Sequence, residues 1–157
     1  MKHRRSCIQI QCPIKRLFFP YNSQFVLFRY TNISANDGKW HHISFTWQSS
    51  DGLWRFYKDG QAAKSGTGFK TGYVIKKGGV LFLGQDQDSH EGGFIKSDSF
   101  IGELANCNMW SYALDANQIL QLSKSCALGK GDVLHWQLAI DNRIGPDVQE
   151  ITNSTCV

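Results

Sequence analysis

A chain of 157 residues with a formal charge of +4 is one domain's worth, large enough to bury roughly two-thirds of the surface its unfolded form exposes. Hydrophobic content of 41% against 19% charged excludes wholesale disorder, and the basic residues are dispersed rather than interleaved with aromatics on one face, which argues against nucleic-acid binding. No run approaches the ~18 apolar residues of a membrane span, so direct membrane insertion is not expected.

In chain order, residues 1–24 show no clear period and read as an atypical leader or fragment edge. Cys7-Ile8-Gln9-Ile10-Gln11-Cys12-Pro13 is too polar for a signal-peptide core, so the chain is either cytosolic or a piece of a longer secreted one. Phe25-Val26-Leu27-Phe28-Arg29-Tyr30 is rich in β-formers, and Asn36-Asp37-Gly38-Lys39 is a turn signal. His42-Ile43-Ser44-Phe45-Thr46-Trp47 alternates cleanly, with Ile43, Phe45 and Trp47 on one face. Leu53-Trp54-Arg55-Phe56-Tyr57 returns as a second strand, and Asp59-Gly60 turns the chain again as a hairpin cue. Val80-Leu81-Phe82-Leu83, an unbroken apolar run, reads as a strand buried on both faces.

Gly84 then opens a long polar loop, Gln85 to Ser99, before a strand from Phe100 to Trp110. A single helix is expected near residues 115–124: Asp115 is a good N-cap with Gln118 three residues on, and Ile119, Leu120 and Leu122 supply its apolar side. Gly131 to Trp136 reads as a last strand. Short strands, turns near every tenth residue and one late helix describe an all-β, antiparallel β-sandwich.

Three segments, in order, resemble the pentraxin family. His42-Ile43-Ser44-Phe45-Thr46-Trp47-Gln48-Ser49 is similar to the family signature, with Ser44 in place of its cysteine. Leu83-Gly84-Gln85-Asp86-Gln87-Asp88-Ser89 is similar to the family's calcium loop. Gly102-Glu103-Leu104 through Asn108-Met109-Trp110, Leu114 and the capped helix resemble the elements that close the family fold. The resemblance implies a legume-lectin or laminin-G-like jelly roll, with residues 25–157 as a partial pentraxin-like domain.

The same resemblance implies a calcium site built from Asp86, Gln87, Asp88 and Asp98, three carboxylates and a carbonyl of the hard-oxygen kind this ion takes. Ile95 stands where the family has a carboxylate, and Asp86 where it has a longer Glu that bridges two ions, so the set falls short of two complete sites. The alternative reading is a solvated acidic loop whose Asp and Gly residues serve turn chemistry.

Five cysteines leave at least one without a partner in the chain. Cys126 and Cys156 resemble the tail cysteines of pentraxin modules in mosaic proteins with sushi and EGF-like modules. That implies a disulfide worth about 3 kcal/mol of unfolded-state entropy. Cys107 alternates with apolar neighbours and reads as a buried thiol; Cys7 and Cys12 are left to pair with each other or elsewhere. Asn32 and Asn153 head glycosylation sequons.

Together these imply a secreted or cell-surface, non-enzymatic module that recognises a glycan, a phosphate-bearing head group or a protein with the help of calcium. The competing reading is a structural or adhesion module with a decayed calcium site. Glycan hydrolysis needs two carboxylates facing each other across a sugar, and no Glu-x-Asp-x-Glu-like strand is present.

Overall fold

The computed structural model describes residues 5–12, 33, 35, 37–75, 80–85, 87–125, 129–142 and 148–150, with backbone alone for residues 5–12 and for Asp98. The alternating His42–Trp47 segment becomes β2 (His41–Gln48), preceded by β1 (Arg5–Cys12) and followed by β3 (Leu53–Lys58) and β4 (Gln61–Gly66). Then come β5 (Ala105–Trp110), helix α1 (Ala116–Leu122) and helix α2 (Trp136–Asp141). The described strands form one antiparallel sheet of five in the order β4-β3-β2-β1-β5.

Register explains what each face buries, because residues directly opposite share a face. Phe45 faces Phe56 and Trp47 faces Trp54 across β2 and β3, with the Phe45 and Phe56 rings 4.6 Å apart. Ile43 lies on this same face and packs with Ala35, Ile33, Phe100 and Leu104. The other face carries His42, Ser44 and Thr46, all buried, and Tyr57, which joins Trp110, Leu114 and Ile119 in a second core with Leu122 against it. Strand β2 is therefore buried on both sides: apolar on one, small and polar on the other.

Helix α1 starts where the capping box places it. The Gln118 N–H donates to Asp115 Oδ1 and the Asp115 N–H donates to Gln118 Oε1, both at 2.9 Å. Ile119, wholly buried, anchors it on the sheet. The β3–β4 hairpin turns through Asp59 (φ 51°) and Gly60 (φ 78°), two consecutive left-handed residues as in a primed turn. A Cβ on Gly60 would collide with Ser123 Oγ and Leu120, so the turn lies directly against the end of α1.

Several expectations are corrected. Val80–Leu83 forms no strand, and Val80 and Leu81 are 40% and 46% exposed. A short apolar run fixes neither period nor pairing partner, which is why it misled. The Gly131–Trp136 segment contributes only a single described bridge, Leu134 to Met109, and then enters α2, a second α-helix among the described residues beside the expected one. Before the helix, the Asp132 carboxylate accepts both the N–H and the hydroxyl of Ser111. The expected strand from Phe100 is continuous only over Ala105–Trp110.

Residues 1–24 were read as lacking a period, yet Arg5–Cys12 is the strand between β2 and β5. Within it Cys7 and Cys12 fall on opposite faces, roughly 16 Å apart at about 3.3 Å per residue, too far to bond to each other. The Phe25–Tyr30 strand lies outside the described residues.

Candidate functional site

The Gln85–Ser99 loop is built on a closed neck. Gln85 and Ser99 form an antiparallel bridge, the Phe100 N–H donates to the Gly84 carbonyl at 2.7 Å, and Ser99 Oγ donates to Gln85 Oε1 at 2.7 Å. The Gln85 amide donates across the loop to the Ile95 carbonyl at 2.9 Å. Within the loop, Ser89 and Gly92 exchange backbone hydrogen bonds of 3.3 Å in a tight turn, with Glu91 left-handed at φ 60°. Gly93 (φ 75°) returns the chain so closely over Asp88 that a Cβ there would sit 2.9 Å from the Asp88 Cβ. The result holds Asp88 exposed at the loop's rim.

Of the four residues expected to bind calcium, Gln87 and Asp88 are placed with their side chains. Gln87 donates its amide Nε2 to the Val80 carbonyl at 3.2 Å, which ties the loop to the preceding segment. Asp98 closes a short 3-10 turn, Lys96–Asp98, where its backbone alone is described, and Asp86 lies outside the described residues. Ile95 is 52% exposed at the mouth of the same loop, and Phe94 packs edge-on against Phe82 at 4.8 Å. Among the described residues, no three His, Cys, Asp or Glu side chains gather into a ready metal cluster.

Cys126, Cys156, Asn32 and Asn153 lie outside the described residues. Cys107 is a buried free thiol, with burial pushing its pKa up to about 12, which keeps it protonated and unreactive. No helix among the described residues is long and apolar enough to cross a membrane.

A polar cluster at the start of β2 was not anticipated from the sequence. The His41 ring contacts Asp59 Oδ2 through Nδ1 and Asp37 Oδ1 through Nε2, each at 2.9 Å. The Asp59 contact has no local sequence signature, since Asp59 is contributed by a separate hairpin, whereas Asp37 lies four residues before His41. His42, on the opposite face, is buried and its pKa is lowered to about 4, chiefly by loss of solvent and partly offset by the Asp59 charge.

A lectin-like β-sheet module carrying an acidic loop is the class these features define. A sequence model of the Pentaxin family matches residues 16–147, and the chain belongs to that family. It is 42% identical over 128 residues to the Sushi, von Willebrand factor type A, EGF and pentraxin domain-containing protein 1 of Rattus norvegicus, covering 78% of this chain and 4% of that protein. It is 37% identical over 110 residues to neuronal pentraxin-2 of Homo sapiens, covering 70% of this chain and 25% of that one. The chain thus spans a small part of the length of these relatives. Among solved structures, the native heptameric SAP-like pentraxin of Limulus polyphemus superposes with a TM-score of 0.67 at 20% identity, covering 85% of this chain and 76% of that one. That likeness establishes the jelly-roll β-sandwich fold.

Proposed function

We propose that this chain is the ligand-recognition module of a larger extracellular protein, binding through a single calcium ion held by Asp86, Gln87, Asp88 and Asp98. The observation that carries the reading is the loop's closed neck, which holds Asp88 outward on a rigid base. A prearranged oxygen set is what a hard cation needs, since ordering the loop at the moment of binding would weaken affinity. Calcium held there supplies open coordination positions to an anionic oxygen. The partner class is accordingly a phosphate-bearing head group, an acidic glycan or an acidic protein surface. The reading is non-catalytic. It includes a Cys126–Cys156 bond and glycans on Asn32 and Asn153, each checked by peptide mass mapping of protein secreted from eukaryotic cells.

Isothermal titration of calcium into the chelator-treated chain tests the metal site: one saturable site per chain, lost in Asp88→Ala, is expected. The competing structural reading draws on the exposed Phe94 and Ile95, which give the loop an apolar side with no oxygen donor. An intact fold with no calcium heat selects it.

A further inference from the structure

The Asp37–His41–Asp59 cluster serves neither the calcium loop nor the two cores. We propose that His41 is a protonation-dependent latch that fastens the β3–β4 hairpin turn to the start of β2. A neutral imidazole carries one N–H and can donate once, whereas the protonated ring donates from both nitrogens. Both His41 nitrogens face carboxylate oxygens at 2.9 Å, so both contacts are hydrogen bonds only when the ring is charged. The ring side chain is 11% exposed and each carboxylate is half exposed. The Asp37 carboxyl is held below its ordinary range first by the Lys39 N–H, 3.0 Å away, and then by His41, consistent with a ring that donates to it.

The latch acts on a strained turn. Asp59 holds a left-handed backbone, and its carboxylate spans two groups of β2: Oδ1 accepts the His42 N–H at 2.9 Å while Oδ2 meets the His41 ring. The Asp59 N–H completes the closure by donating to the His42 carbonyl at 2.8 Å. Gly60, next in the turn, lies against Ser123 and Leu120, so the turn's position is passed to the end of α1. Among the described side chains, the charged or titratable residues around the ring are Asp37 and Lys39 before β2, His42 beside it, and Lys58 and Asp59 from the hairpin; Cys12 is the register position opposite on β1. Burial lowers the His42 pKa to about 4, so that neighbouring ring is neutral where the latch is tested.

The test is ring 15N NMR of the full chain between pH 5.5 and 8.5, with amide hydrogen exchange corrected for intrinsic rates. Both His41 nitrogens are expected to be protonated at pH 5.5. As the ring loses its proton, protection at the His42 and Asp59 amides falls about tenfold while Phe56 is unchanged, the effect of losing one charge-assisted hydrogen bond. His41→Gln makes that protection independent of pH. Should that variant fail to fold, Asp37→Asn at the exposed partner shifts the loosening to lower pH. A neutral ring at pH 5.5, an unmoved transition in Asp37→Asn, or unchanged turn protection across deprotonation overturns the latch.

Discussion

His42 is expected to withdraw about 2 kcal/mol of folding stability between pH 7.5 and 5, read as the difference between the parent chain and His42→Gln. The side chain is 4% exposed on the polar face of β2, and burial lowers its pKa from 6.5 to about 4. The unfolded chain therefore takes up a proton below pH 6.5 that the folded chain refuses until about pH 4. Stability is full above the unfolded value and declines as pH falls through this window. At about 1.36 kcal/mol per pKa unit the whole window is worth about 3 kcal/mol, of which about 2 is spent by pH 5. Urea denaturation at pH 7.5, 6 and 5, run on the parent chain and on His42→Gln, isolates the effect. The parent-minus-variant difference in stability is expected to fall by about 2 kcal/mol across this interval, the contribution of the His41 latch, opposite in sign, being common to both. Asp37 and Asp132, whose carboxyls are held below their ordinary range, act only in more acidic solution, so they do not obscure it. Equal slopes in parent and variant would refute the assignment.

Further predictions follow from particular contacts. Ile119→Ala, at a site with no exposure, is expected to cost about 3 kcal/mol in the same denaturation assay and to loosen α1. Gly131→Ala is expected to cost about as much, because a Cβ there drives into the Leu134 and Met109 carbonyls. Gln9→Cys with Ser44→Cys, at directly opposed register positions, is expected to form a disulfide under oxidising conditions, visible by peptide mapping. Absence of that bond would mean that β1 does not pair with β2 in this register. Ile95→Asp, which adds an oxygen donor at an exposed position in the loop, is expected to tighten calcium binding about tenfold or more in calorimetry without loss of stability.

The legible parts of the fold were those fixed by local chemistry. Alternation in β2, the Asp59-Gly60 hairpin and the Asp115/Gln118 capping box each depend on neighbours within a few residues, and each formed where the sequence placed it. Strand β1 also had a local signal, since Ile8 and Ile10 alternate with Gln9 and Gln11. That segment was weighed only as a signal-peptide core, where its polarity counts against it. Val80–Leu83 and Gly131–Trp136 failed for another reason: apolar content says nothing about which strand lies alongside. Trp136, Ala139 and Ile140 had helical spacing that the strand reading passed over. The loop's acidic residues were legible through resemblance. The closure by Gln85, Ser99 and Ile95 was not, because those partners meet only after the loop folds back.

The central claim is that this Pentaxin-family chain recognises an anionic ligand through calcium at its acidic loop. Retention of the full chain on a resin bearing immobilised phosphocholine, with calcium present, tests it most directly. The account predicts retention that a chelator reverses and that Asp88→Ala abolishes. Retention indifferent to chelator, or no retention on phosphocholine, acidic-glycan and acidic-protein resins alike, would contradict it.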